Sequence, residues 1–181
     1  MIQRVRQFIR AMTAQIRPAD RLWINQSIPA AAKPLFYAMH PADQYHALHV
    51  ARTAMQLWDE LPETERSKSK EGRSFLLRCA LLHDAGRVRG DMDIWGKVFC
   101  VLMAKLAPEY SRQAAERGKK KQSSAISHAL YVYFHHAEIG AAKLCTAGLA
   151  AEAAIIVRHH QPVKAEDPLI LKLLREADER N

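Results

Sequence analysis

Hydrophobic residues recur every three or four positions along most of this chain, which is the spacing of one face of an α-helix. The pattern predicts five long helices, over residues 41–61, 94–106, 127–144, 149–160 and 168–178. A shorter apolar helix is predicted over 76–86, where Gly86 ends it. Alternating runs of β-branched residues, which are typical of strands, do not occur. The sequence therefore predicts an all-α fold.

The segments outside these helices are basic or highly charged. Residues 1–17 combine an apolar stripe with four arginines, which indicates a first helix docked on the domain. Contact of that helix with an anionic membrane or with RNA is the alternative. Three charged stretches are predicted to be solvated loops, at residues 62–72, 87–93 and 112–122. The last stretch contains Arg117 and Lys119–Lys121, for which contact with phosphate or nucleic acid is the alternative.

Composition and charge limit the size of the fold and the class of partner. The 181 residues, of which 49% are hydrophobic, suffice for one domain with a substantial core. We expect residues 42–181 to form that domain and residues 1–41 to be a helical extension packed on it. The net charge of +8 is compatible with nucleic acid, a membrane surface or a small phosphorylated molecule. It gives no strong nucleic-acid signal.

Cysteine usage and the length of the apolar runs bear on the compartment. The three cysteines are far apart in apolar helical sequence, which indicates a reducing compartment and no disulfide framework. No apolar run reaches the length of a transmembrane helix, and the first residues lack the apolar block of a signal peptide. We therefore expect a cytoplasmic protein without a transmembrane segment. A homo-oligomer is compatible with the sequence.

Several imidazoles and carboxylates interrupt the apolar stripes of the predicted helices. They are His46, His83, Asp84, His136, His159, His160 and Asp178. A polar group that faces an apolar interior has to be hydrogen-bonded, ion-paired or bound to a metal. One shared metal centre accounts for all of these residues, whereas separate hydrogen bonds require an independent explanation on each helix. Mixed imidazole and carboxylate ligands favour Mn, Fe, Co, Ni or Zn over magnesium.

Other residues compete for places in this centre. His49 and His135 adjoin the chosen histidines and are interpreted as partners that orient ligands or as ordinary core and surface residues. His40 and His128 are interpreted as structural or exposed. Lys97 is a candidate for binding substrate at the mouth of the site, with a solvated helix lysine as the alternative.

The order of the candidate ligands resembles that of the HD-domain superfamily of metal-dependent phosphohydrolases. The local matches are Tyr45–Ala51, Leu82–Arg87, His136–Ala141 and Val157–Gln161, and the resemblance covers roughly residues 42–180. It implies an HD-domain-like helical bundle with a central metal site. The Gly-Tyr-Pro sequence of the branch that hydrolyses cyclic-di-GMP is missing, so we do not expect that substrate.

The resemblance also implies how the residues share the metals. One divalent ion would be held by His46, His83, Asp84 and Asp178, and a second ion by His136, His159 and His160. Asp84 would bridge the two ions and is the predicted catalytic carboxylate. The implied activity is hydrolysis of a phosphoester or nucleotide by a metal-bound hydroxide.

Two positions affect this expectation. Arg87 stands where many relatives have lysine, and arginine can clamp a phosphate but cannot donate a proton at neutral pH. A metal-binding but catalytically silent signalling or binding module is therefore the alternative function. Asp178 lies three residues from the end of the sequence, so its helix is expected to fray.

Overall fold

The computed structural model describes residues 16–120 and 123–181. Within these ranges the chain forms ten α-helices and one 3₁₀ turn, and no strand is present in them. The all-α prediction is therefore confirmed. The predicted basic amphipathic helix lies, up to residue 15, outside the described residues, as does Lys121 of the basic cluster.

The helices follow one another with short connections. Their bounds are α1 Pro18–Ser27, α2 Lys33–Ala38, α3 Pro41–Glu60, α4 Glu63–Arg66, α5 Arg73–Leu82, α6 Ile94–Leu106, α7 Pro108–Gly118, α8 Ala125–Thr146, α9 Ala150–Ile156 and α10 Leu169–Arg180. The 3₁₀ turn Ala30–Ala32 connects α1 to α2. Proline in the first turn begins α1, α2, α3 and α7, where its missing N–H leaves no bond unmade.

Two of the predicted loops are partly helical, and those predictions are wrong. Residues Glu63–Arg66 form α4 inside the predicted loop over 62–72. The charged residues 112–118 continue α7 because Ser111, Ala114 and Ala115 on the same helix are buried in the fold. Tertiary burial of these small residues stabilises a helix whose charged sequence alone does not predict one.

The main hydrophobic core lies between α3, α5, α9 and α10. Leu48 of α3, Leu82 of α5 and Leu171 of α10 are fully buried in it. Ile24 of α1 and Phe36 of α2 are fully buried in the same core. The described part of the N-terminal 41 residues is thus packed into the core of the domain.

A second, smaller hydrophobic cluster lies between α6, α7 and α8. It contains Cys100, Leu130 and Val132, all buried. Helix α8 contributes to both clusters, because its later residues Ala141 and Leu144 belong to the main core. His136 therefore lies on α8 between the two clusters.

The length and the hydrophobicity of the described helices bear on whether they could span a lipid bilayer. None of those helices combines the length and the apolar character needed to cross a membrane.

Candidate metal centre

Two tight turns carry four of the predicted ligands. His83 and Asp84 follow the last residue of α5, and His159 and His160 lie in the turn after α9. The prediction that these four residues lie within helices is therefore wrong, since the helices end at Leu82 and Ile156. The other predicted ligands, His46, His136 and Asp178, lie on α3, α8 and α10.

The first of these turns packs directly against the backbone of α8. An ideal Cβ on Gly86 would lie 1.9 Å from the carbonyl oxygen of His136 and 2.9 Å from the amide nitrogen of Gly140. Only glycine at position 86 allows this approach. The contact brings the turn that carries Asp84 next to His136.

Three of the histidines are anchored in the same way. The Nδ1 atom of each ring lies at hydrogen-bonding distance from the carbonyl oxygen three residues earlier. The distances are 2.8 Å for His83, 2.9 Å for His136 and 2.6 Å for His159. A carbonyl oxygen can only accept, so Nδ1 carries the proton and Nε2 of the neutral ring carries a lone pair. Metal-binding histidines are commonly oriented by such a bond.

Two of the resulting lone pairs have no hydrogen-bonding partner. Nε2 of His83 and Nε2 of His159 are buried and make no hydrogen bond. Burial lowers the pKa of His159 to about 3, and burial together with the charge of Arg87 lowers the pKa of His136 well below its usual value. The rings of His136 and His159 are therefore neutral at pH 7. A bound cation would satisfy the two unpaired Nε2 lone pairs, those of His83 and His159. The site therefore fits a metal ion.

The first ligand group consists of His46, His83 and Asp178, whose ligand atoms all lie within 4.8 Å of one another. His46 Nε2 lies 3.0 Å from Asp178 Oδ1, and His83 Nε2 lies 3.7 Å from the same oxygen. Burial lowers the pKa of His46, but the hydrogen bond to Asp178 and the nearby carboxylates raise it above its usual value. The group is therefore an ion-paired cluster as well as a potential ligand set.

The helix that carries Asp178 is held at its end. The side-chain amide of Asn181 donates to Thr53 Oγ1 on α3 and to the carbonyl oxygen of Ala177, both at 2.8 Å. The expected fraying of α10 does not appear in the structure, because these bonds fasten its last turn to α3.

The second ligand group consists of His136, His159 and His160, again with ligand atoms within 4.8 Å of one another. His136 Nε2 and His160 Nε2 are 2.9 Å apart. His160 is solvent-exposed, whereas His136 and His159 are buried. The second group therefore reaches the protein surface through His160.

Asp84 lies between the two groups. Its Oδ1 atom is 3.4 Å from His136 Nε2, and its Oδ2 atom is 3.6 Å from His83 Nε2. Burial raises the pKa of Asp84, but the charge of Arg87 beside it lowers it well below its usual value. An ionised carboxylate thus directs one oxygen to each group.

The two residues predicted to bind substrate lie in different surroundings. Arg87 Nη1 donates to Asp84 Oδ2 at 2.6 Å, and its Nη2 lies 3.2 Å from His136 Nε2. The guanidinium is therefore inside the centre, in contact with ligand atoms. Lys97 on α6 instead forms an ion pair with Asp43, a buried carboxylate one turn before His46 on α3.

The competing histidines lie outside both groups. The His49 ring lies 4.4 Å from that of Tyr45, and the His135 ring lies 4.7 Å from that of Tyr131, measured between ring centroids. His40 Nδ1 accepts a hydrogen bond from the amide of Ala42 at the start of α3, and His128 pairs with Asp91. The structural interpretation of His40 and His128 is consistent with these contacts.

Two basic residues that the sequence did not single out hold the ligand-bearing turns. Lys143 Nζ donates to the carbonyl oxygens of Ala85 and Gly86, at 3.3 and 3.2 Å. Arg175 donates to the carbonyl oxygens of Arg158, His159 and Gln161, at 2.7, 3.0 and 3.0 Å. These carbonyls follow helix ends and lack partners within the helix. The sequence offered one sign that Arg175 lies near the centre, which is its position one turn before the candidate ligand Asp178.

Replacing Arg175 by glutamine is expected to lower the free energy of unfolding by about 2 kcal/mol, because several carbonyls of the turn lose their donor. Urea unfolding followed by circular dichroism measures the change. Arg180→Gln is the matched control, since Arg180 is on the same helix but forms an exposed pair with Glu176. Equal midpoints for the two variants would show that Arg175 does not hold the turn.

No protein-family model, no curated protein and no solved structure matches this chain.

Proposed function

We propose that this chain is a metal-dependent phosphohydrolase of the HD-domain type that binds two divalent transition-metal ions and hydrolyses a phosphoester or nucleotide. One observation carries the proposal. Three buried histidines, His83, His136 and His159, are anchored through Nδ1. Nε2 of the first two lies 3.6 and 3.4 Å from Asp84, and the ligand atom of the third lies within 4.8 Å of that of His136. Ordinary core histidines do not require this shared arrangement.

The residues divide into two ligand sets on either side of Asp84. Ligand atoms that share one ion of this class lie up to about 4 Å apart. Each group spans 4.8 Å or less, so small side-chain movements complete the fit. The mixture of imidazole and carboxylate oxygen suits Mn, Fe, Co, Ni or Zn.

The chain's own residues prepare the site for a phosphate. Bound divalent ions of this class acidify water and stabilise charge on a phosphoryl group. The carboxylates of Asp84 and Asp178 offset part of the charge of two dications, leaving about +2 in the cavity, which attracts an anionic substrate. Asp84 fixes the separation of the two ligand groups, because one of its oxygens faces each of them.

Arg87 would be the group that binds the substrate phosphate. Its guanidinium hydrogen-bonds to Asp84 Oδ2, the same oxygen that faces the first ligand group. If that oxygen held an ion, its hydrogen bond to the guanidinium would be weakened, and Arg87 could turn to form paired hydrogen bonds with the substrate phosphate. Arg87 is thus the proposed phosphate clamp.

The second candidate function is a metal-binding but catalytically silent module. The contacts of Arg87 with Asp84 and His136 favour it, because the guanidinium already neutralises the central carboxylate. Arginine also cannot supply a proton to a leaving group at neutral pH.

Metal reconstitution separates the two functions. The protein is stripped with chelator, loaded in turn with Mn(II), Fe(II), Co(II) and Ni(II), and assayed on phosphoesters, nucleotides and dinucleotide polyphosphates. We expect a rate that requires metal and is lost when His83 and His159 are both replaced by alanine. Bound metal without any such rate would favour the silent module, and failure to bind metal would exclude both functions.

A further inference from the structure

Helix α6 presents an apolar face to solvent. The exposed hydrophobic side chains, with exposures between 36% and 77%, are Trp95, Val98, Phe99, Val101, Leu102 and Leu106. Lys105 is the single exposed polar residue among the α6 side chains that the structure describes. The opposite face packs into the fold through Cys100, which is fully buried.

This distribution reverses the usual pattern of a surface helix. A helix on the outside of a domain normally directs charged and polar residues to water. A contiguous exposed apolar patch, in contrast to scattered apolar residues, indicates an interaction surface. The 13 residues of α6 are too few to cross a bilayer. A partner of α6 would therefore have to contact this helix from its side.

A basic segment borders the apolar face. A groove of about 600 Å³ is lined by Phe99 and Ile126, and a second groove of about 710 Å³ is lined by Lys119 and Lys120. Gly90, Asp91 and Ala125 line both grooves, so the grooves are neighbours. The side chains of Lys119 and Lys120 form no hydrogen bond or ion pair with the described part of the chain.

Basic residues also outnumber acidic residues in this region, as they do in residues 1–17. Residues 94–120 contain six lysines and arginines and two glutamates. Their net charge of +4 is half of the chain's +8, in 27 of its 181 residues. The partner that complements this region is apolar at the face of α6 and negatively charged beside it.

We propose that α6 and the adjoining Lys119–Lys120 segment form a docking surface for an anionic lipid bilayer. Helices that lie in the plane of a membrane have aromatic and aliphatic residues on one side and basic residues beside them. Tryptophan and tyrosine favour the level of the lipid headgroups, and Trp95 and Tyr110 are 66% and 60% exposed. A second copy of the chain fits less well, because it would bring two regions of charge +4 together.

Vesicle co-sedimentation of the full chain tests this surface, and it does so independently of catalysis. We expect binding to vesicles of equal parts phosphatidylcholine and phosphatidylglycerol, and none to phosphatidylcholine alone. The double variant Leu102→Gln, Leu106→Gln is expected to bind about tenfold more weakly, because two leucines no longer leave water on binding. The double variant Lys119→Ala, Lys120→Ala is expected to lose a similar factor and to be less sensitive to salt.

Matched controls separate this surface from the general charge of the chain. Leu22→Gln with Val163→Gln changes two hydrophobic residues outside the proposed surface. Their side chains are 60% and 76% exposed, which is close to the 50% and 77% of Leu102 and Leu106. Lys70→Ala with Lys164→Ala removes the same charge from other exposed positions. Both control proteins are expected to bind vesicles as the unchanged chain does.

Several results would overturn the proposal. They are equal losses in the test and control variants, binding that no variant affects, and no binding to anionic vesicles. If the chain does not bind anionic vesicles, light scattering tests whether a second copy covers the apolar face of α6. A dimer that Leu102→Gln with Leu106→Gln dissociates would assign the face to that second copy. The lysines would be assigned to RNA if Lys119→Ala with Lys120→Ala abolishes a salt-dependent RNA affinity.

Discussion

Asparagine in place of Asp84 is expected to weaken metal binding at both ligand groups and to reduce the metal-dependent hydrolytic rate by at least about a hundredfold. The carboxylate directs Oδ1 to His136 and Oδ2 to His83, so the change removes negative charge from both groups. Asparagine has the same shape and its carbonyl oxygen still accepts from Arg87, so the fold is retained. Calorimetric titration with Co(II) measures affinity and stoichiometry.

Asp20→Asn is the control for this change, because Asp20 also pairs with an arginine, Arg52, but outside the centre. It is expected to bind metal as the unchanged chain does. Two Co(II) ions bound to Asp84→Asn with unchanged affinity would show that Asp84 is not a ligand. Loss of one ion alone would place Asp84 in a single group.

Alanine at position 86 is expected to destabilise the fold by about 3 kcal/mol, the upper part of the range for overpacking a close contact. The added methyl would lie 1.9 Å from the carbonyl oxygen of His136, so the turn after α5 and helix α8 must separate. Because the same contact sets the distance from Asp84 to His136, metal affinity is expected to fall with stability. Urea unfolding and Co(II) titration measure the two effects.

Gly72→Ala is the control for glycine replacement in general. A Cβ at Gly72 would meet nothing within 4 Å, and its φ of −95° is open to any residue. We expect a loss of at most about 1 kcal/mol there, because Gly72 is the N-cap of α5 and alanine is a poorer N-cap than glycine. A Gly86→Ala protein as stable as Gly72→Ala would show that the turn adjusts without loss, which would remove close packing as the reason for glycine.

The long helices were predictable because burial on one face imposes a 3.6-residue period on the sequence. Helix α3, which carries Leu48 in the main core, shows how directly that period reports the structure. The ends of α5 and α9 were not predictable, because the apolar pattern continues through His83 and His159 into turns. The helical course of residues 112–118 was missed because burial of Ala114 and Ala115 depends on packing against the next helix, α8, which the charged local pattern does not report.

The candidate site shows the same division between local and long-range information. The histidines and aspartates could be selected because polar residues on apolar stripes need an explanation. Their anchoring to carbonyls could not, because it depends on the turn geometry around His83 and His159. The roles of Lys143 and Arg175 depend on contacts between helices, and basic residues in helices are usually solvated.

Helix α10 contributes to both halves of the centre. It supplies Asp178 to the first ligand group, and one turn earlier its Arg175 holds the turn that carries His159 and His160. Local opening of this one helix would withdraw a ligand from one group and release the backbone of the other in the same event. Under the proposed two-ion function, ion binding and the docking of α10 would therefore be thermodynamically linked, so that occupancy of either group would stabilise the closed helix and favour occupancy of its neighbour.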